Sequence, residues 1–268
     1  MFSPYNGKEY SKECIENLLT DYRNGKLGYH VYNHGQELGK IRIEKSFEHG
    51  TLVSTGIYDE NGEPEYGLES IMASQIEFET GGSTLKKLVD LISEGAICGF
   101  FTLSAETGPR ALCARSILAD VRYPDIKDRL NRDVKHREMF RPFAPVVMHE
   151  RGNDYFVDYH FSPYMLETFD VKKQWREKLP AITHIDGSSR LQSVKKVDNP
   201  VFYRLLEEYS VRTGIHILLN TSFNLAGEPV VESPFHALAC FLNSNMDILY
   251  LDGFLVRKKG GKFTGNSL

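Results

Sequence analysis

Cysteine is scarce in this 268-residue chain: Cys14, Cys98, Cys113 and Cys240 are widely spaced and none belongs to a CxxC pair. That excludes a disulfide framework and predicts reduced thiols in a cytoplasmic protein. No stretch approaches the roughly 18 apolar residues of a membrane span, and the first residues lack the basic-then-apolar pattern of a secretory leader, so no membrane association is expected. Excess charge is also missing. Thirty-two basic residues stand against 36 acidic ones, a net charge of −4, with no extended basic stripe, which argues against direct nucleic-acid binding. GxxxxGK[ST], GxGxxG and GxSxG are absent, as are internal repeats and low-complexity linkers.

What charge there is has been gathered in one place. From Arg110 to Arg141 there are nine Lys or Arg against five Asp or Glu, a basic island on an otherwise acidic chain. Such an island suits a small anion better than a long polyanion. Lys127, Arg129 and Arg132 read as a solvated helical face with ion pairs one turn apart. Arg141 lies in Phe-Arg-Pro-Phe-Ala-Pro, where apolar neighbours would draw it inward toward an anionic partner. Lys135 and Arg137 would point the same way on an extended segment, making a clamp of one point charge and one bidentate fork.

Periodicity supplies the framework. Ser11 to about Tyr22 reads as a capped amphipathic helix, and the runs between Leu27 and Phe78, broken by turn residues, read as hairpins. A helix is expected from Ser83 or Thr84 to Gly95, a strand over Ala96 to Thr102, an apolar run over Ser116 to Ala119 and a helix from about Asp125 to Asp133. Strands then follow at Phe143 to Met148, Ile182 to Asp186, Ile215 to Leu219 and Ile248 to Val256. The helices among them begin at Asn199-Pro200 and Ser233. Alternating strands and helices predict an α/β sheet with helices packed against it.

Two further polar stretches sit at expected strand ends. LLNTSFNLAGEP releases Asn220, Ser222 and Asn224 where open α/β sheets bind ligands, and Ser222 and Asn224 would offer a hydroxyl and an amide to the same phosphate. A self-satisfied polar turn is the competing reading. THIDGSSR presents Ser188, Ser189 and Arg190. His30 and His34 have a metal-ligand offset only if helical, and their stretch reads as a strand and turn, so no metal site is expected.

These stretches, in order, carry a resemblance. GPRAL, SIL, KDRLN, KxRExFRPFAP, SPYM, HIDGSSR, NPxxxxLL and LLNTSFNxxGEP, over about residues 84 to 257, resemble the carboxyl-terminal YrdC-like domain of the O-carbamoyltransferases (tobramycin carbamoyltransferase and nodulation protein U type). The resemblance implies a YrdC-like twisted mixed sheet at 84–257; residues 1–83 read by their own periodicity as a helix and hairpin extension of the same domain, and the polar stretch 258–268 reads as a mobile tail. The resemblance also implies formation of a carbamoyl-adenylate from carbamoyl phosphate and ATP, with Mg2+ as further counterion, and transfer to a hydroxyl acceptor in a separate actin-like domain. By position, Lys135, Arg137, Ser222 and Asn224 would be the catalytic set, and Arg110, Arg141, Arg190 and Asn220 the ligands of carbamoyl phosphate.

The chain departs from the family pattern GRMEFGPRALGNRS at Ser104, Cys113 and Ala114, where the family has Arg, Gly and Asn. These departures keep a second reading open, a non-catalytic phosphate or nucleotide sensor. A third, a threonylcarbamoyl-adenylate synthase-like role in tRNA modification, is opposed by the net acidity.

Overall fold

A computed structural model describes the backbone of residues 36–38, 41–48 and 51–58, and describes residues 76–260 apart from Leu103, Ser104, Thr107 and Pro109. The expected helix at Ser11, the histidines His30 and His34, and the tail beyond residue 260 lie outside the described residues.

Within the expected hairpin region, β1 (Gln36–Leu38), β2 (Ile41–Glu48) and β3 (Thr51–Tyr58) form an antiparallel sheet. The next strand, β4 (Ile76–Thr80), belongs instead to the large sheet, although it falls inside the 1–83 segment. Helix α1 (Thr84–Ser93) follows, with Leu88, Val89 and Ile92 buried on one face. Its start is held by the Thr84 hydroxyl, 3.0 Å from the Gly81 carbonyl and 3.1 Å from that of Gly253, while Ser83 makes no side-chain cap.

Buried strands β5 (Cys98–Phe101) and β6 (Arg115–Ala119) form the sheet centre. The expected helix from Asp125 to Asp133 is short: α2 (Ile126–Arg129) widens into a π-helical turn over Leu130–Val134. Then come β7 (Ala144–Met148), the single-turn helix α3 (Gly152–Tyr155), β8 (Thr168–Asp170) and α4 (Lys173–Arg176), followed by β9 (Ser188–Arg190) and β10 (Gln192–Val194). Helix α5 (Pro200–Thr213) is capped by Asn199, whose side chain accepts from the Phe202 amide, and stops at left-handed Gly214. Strand β11 (Ile217–Ser222), helix α6 (Pro234–Leu242), and strands β12 (Ile248–Leu251) and β13 (Phe254–Lys258) complete the described chain.

The eight-stranded sheet has the order β10-β7-β11-β6-β5-β12-β13-β4. Pairs β10/β7 and β5/β12 are parallel and the others antiparallel, so the expected mixed α/β sheet is observed. Helices α1 and α5 pack together, and α6 lies against β12 and β5. Phe100 ties sheet to helix, stacking on Tyr250 at 5.1 Å and meeting Phe202 edge-on at 5.6 Å. Among the described residues no helix is long and apolar enough to cross a membrane.

Three strand expectations are corrected. Ile182 to Asp186 is a turn, because the His184 and Gly187 amides are spent on the Ser188 and His184 carbonyls and Ile185 is fully exposed; pairing starts at Ser188. Ile248 to Val256 is a hairpin, folded at Asp252-Gly253, both with positive φ. Strand β11 starts two residues late and runs on through Ser222, because β6 pairs with it to that point. Asn220 therefore lies inside the sheet.

Candidate functional site

A cleft of about 460 Å³ opens where β11, the turn before β9 and the loop after the π-helical turn meet. Its lining includes Arg110, Arg137, Arg141, Arg190, Asn220 and Ser222, six of the eight predicted residues, and among the described residues no Asp or Glu. Like charges press on one another there. Burial, and then the charge of Arg110, pull the Arg190 guanidinium below its ordinary range. Burial, and then Arg141, pull Arg137 down to about 10. A bound anion relieves both repulsions at once. His184, also in the lining, is lowered by burial, and its Nδ1 sits 3.0 Å from the Ser188 hydroxyl.

The remaining two predicted residues adjoin this wall through Ser222. Lys135, only 5% exposed, extends its ammonium toward β11 and donates to the Asn224 carbonyl at 3.0 Å and Asn224 Oδ1 at 2.7 Å. It also donates to the Ser222 carbonyl, with the Ser222 hydroxyl at 3.3 Å. Ser222 Oγ donates to Asn224 Oδ1 at 2.7 Å, and Asn224 Nδ2 donates to the Glu228 carbonyl at 2.7 Å. The lysine and the Ser-x-Asn element thus meet, but Asn224 has its amide turned to its own loop.

The expectation that Lys135 and Arg137 point the same way is overturned. His136 between them has φ +45°, so the backbone turns and the side chains diverge. Arg137 lies 4.5 Å over the Phe143 ring and donates its Nε to Asn131 Oδ1 at 2.7 Å. Arg141 is likewise not drawn inward: its side chain is half exposed, with Glu138 at 3.8 Å. The prolines around it shape the loop without burying the guanidinium.

The other cations of the basic island serve the fold. Arg115 is buried with its guanidinium 3.5 Å from the Phe101 ring centroid, and it donates to the Thr102 and Ala114 carbonyls. Arg129 reaches Asp247 at 3.5 Å and Arg132 its neighbour Asp133 at 2.6 Å, so neither makes the expected one-turn helical pair.

Over residues 89–258 the chain matches the profile of a family described as Carbamoyltransferase C-terminus. The chain belongs to that carbamoyltransferase C-terminal family. Nodulation protein NolNO of Sinorhizobium fredii is 40% identical over 187 residues, covering 69% of this chain and 28% of that protein. Nodulation protein NolO of Bradyrhizobium diazoefficiens is 38% identical over 190 residues, 70% of this chain and 35% of its own length. Nodulation protein U of Rhizobium tropici is 38% identical over 207 residues, 77% and 34% respectively. The chain spans about a third of these relatives' length. Full-length HypF, solved in a phosphate- and nucleotide-bound form, superimposes with a TM-score of 0.44 at 17% identity, covering 66% of this chain and 22% of HypF.

Two residues that hold the site of this carbamoyltransferase C-terminal domain escaped the sequence reading. Asn131, buried in the π-helical turn, also donates to the Met139 and Arg141 carbonyls at 3.3 and 3.0 Å, so one side chain shapes the loop carrying Arg137 and Arg141. Glu106 accepts from the Leu112, Ala114 and Arg115 amides at 2.7, 2.9 and 3.1 Å, folding the loop that presents Arg110. Burial, partly opposed by those amides, raises its carboxyl. The available signals were that Glu106 stands at the Glu of the family pattern GRMEFGPRALGNRS and that Asn131 closes KDRLN. Cys113, where the family pattern has glycine, has φ +84°, a left-handed conformation that explains a glycine there.

Proposed function

We propose that this domain binds carbamoyl phosphate and ATP in the arginine cleft and forms a carbamoyl-adenylate, whose carbamoyl group passes to a hydroxyl acceptor held by a separate actin-like domain. The carrying observation is a cleft lined by four arginines and, among the described residues, no carboxylate. Membership of a carbamoyltransferase family supplies the group transferred. Relatives that extend well beyond the matched region support a further domain for the acceptor.

In this reading water releases phosphate from carbamoyl phosphate, a carbamate oxygen attacks the α-phosphorus of ATP, and pyrophosphate leaves. Negative charge gathers on the α-phosphate and on the departing group. Fixed guanidinium and ammonium donors lower that barrier by electrostatics and need no reorganisation as the charge develops. Arg110, Arg141 and Arg190 hold the carbamoyl donor. Lys135, Arg137, Ser222 and Asn224 form the edge facing the nucleotide phosphates, with Asn224 turning its amide from Glu228 when the ligand arrives. Among the described residues no group of three His, Cys, Asp or Glu is placed to hold a metal, so Mg2+ would ride on the nucleotide's phosphates and water.

Pyrophosphate release on mixing the chain with carbamoyl phosphate and ATP is the expected outcome, and Arg141→Ala should slow it about tenfold, the value of one charge-assisted contact. Binding of both ligands with no pyrophosphate, even with the acceptor domain supplied, would favour the sensor reading that Ser104, Cys113 and Ala114 keep open.

A further inference from the structure

At the back of the cleft stands a small buried amide network. Gln192 opens β10, is 4% exposed, and accepts at Oε1 from Asn220 Nδ2 at 2.9 Å and from the Cys113 thiol at 3.3 Å. Burial holds that thiol far above its ordinary pKa, so it keeps the proton it donates. Asn220 Nδ2 also donates to the Ala111 carbonyl at 3.2 Å and lies 3.6 Å from Cys113 Sγ.

These partners settle which way the Asn220 amide faces. A main-chain carbonyl and the Gln192 oxygen both require a donor, so Nδ2 faces them and Oδ1 faces away. That oxygen is buried and has no hydrogen-bond partner among the described residues, although Asn220 lines the cleft. Buried carbonyl oxygens are normally paired, and one beside a ligand cleft calls for a donor from the ligand.

The arginines around it state the other half of the requirement. Guanidinium groups only donate, which suits phosphate oxygens, whereas a phosphate oxyanion has no hydrogen for Oδ1. A ligand meeting both demands carries phosphate oxygens and a hydrogen-bond donor on one small molecule, a donor that carbamoyl phosphate supplies as an N–H. Resting on the carbamoyl phosphate reading above, we propose that Gln192 is a positioning residue: it holds Asn220 with Oδ1 toward the ligand's NH2, making the cleft selective for carbamoyl phosphate over acyl phosphates that lack an N–H.

Acetyl phosphate is the matched probe, with CH3 in place of NH2. Calorimetric titration of the full chain should find carbamoyl phosphate bound about tenfold more tightly, the value of one hydrogen bond to a buried acceptor. Gln192→Met removes the oxygen acceptor and should collapse that ratio toward one, with acetyl phosphate affinity changed less than about threefold. Gln192→Glu keeps an oxygen for Nδ2 and should keep the ratio, even as its charge weakens both ligands. Asn220→Ala removes Oδ1 itself and should also collapse the ratio.

A general structural defect would weaken both ligands together and leave the ratio unchanged. Retention of the ratio in folded Gln192→Met, or its loss in Gln192→Glu, overturns the role of Gln192. Equal affinities in the native chain, or a ratio surviving in Asn220→Ala, overturn the selectivity and leave the anion cleft standing. Binding of neither ligand overturns the carbamoyl phosphate reading, and this inference with it.

Discussion

Replacing Arg110 and Arg190 together by alanine is expected to weaken phosphate and carbamoyl phosphate binding roughly a thousandfold while leaving the ligand-free fold as stable as before or slightly more so. Two charge-assisted contacts to an oxyanion contribute about 4 kcal/mol between them. Neither guanidinium has an acidic residue beside it in the cleft lining, and the charge of Arg110 already helps to lower Arg190. Among the described residues that repulsion has no acidic partner in the lining, so a bound anion relieves it, as is common where function is set against stability. Titration calorimetry paired with a denaturant melt checks both halves. Lost binding together with a collapsed melt would mean that these arginines are structural.

Lys135→Met should do the opposite to stability. Its ammonium serves acceptors on both Ser222 and Asn224, and removal leaves buried carbonyl oxygens without donors, a cost of about 3 kcal/mol. The same variant tests a pH dependence. Burial, followed by repulsion from Arg137, lowers Lys135 from 10.5 to about 7. Between those values the unfolded chain holds a proton that the folded chain has released, so native stability rises with pH through the lower part of that window. Between pH 7 and 8 the denaturant midpoint of the native chain should climb relative to that of the Met variant, because the buried thiols, which begin to ionise in the unfolded chain in this range, act equally on both. Anion binding at pH 8 should draw up to one proton onto Lys135, read as a binding heat that depends on the buffer. A native-to-Met difference in midpoint that is flat with pH, together with a buffer-independent heat, would show that Lys135 stays charged throughout.

Local sequence carries the elements whose signals are strong. Asn199-Pro200 and Gly214 bracket α5, Ser233-Pro234 opens α6, and the apolar period from Leu85 to Ile92 locates α1. It fails where tertiary pairing decides. Ile182 to Asp186 has a strand's composition, yet the Ser189 hydroxyl donates to the Ile182 carbonyl at 2.7 Å and its amides close a turn. The Asp252-Gly253 pair was a hairpin signal hidden inside one apolar run.

The site divides on the same line. Its residue types and their family spacing are legible, and six of the eight predicted side chains share one cleft. Side-chain direction is not legible, because the π-helical turn and the positive φ of His136 send Lys135 and Arg137 apart. Glu106, Asn131 and Gln192 act on other residues, so their residue types give no hint of what they hold. Only the folded chain shows what they hold.

The most direct test of the account is a calorimetric titration of the purified chain with carbamoyl phosphate, with inorganic phosphate as control and then with ATP present. The cleft geometry predicts saturable binding of carbamoyl phosphate, tighter than that of phosphate and retained when ATP is added. Binding no stronger than that of phosphate, with or without ATP, would contradict it.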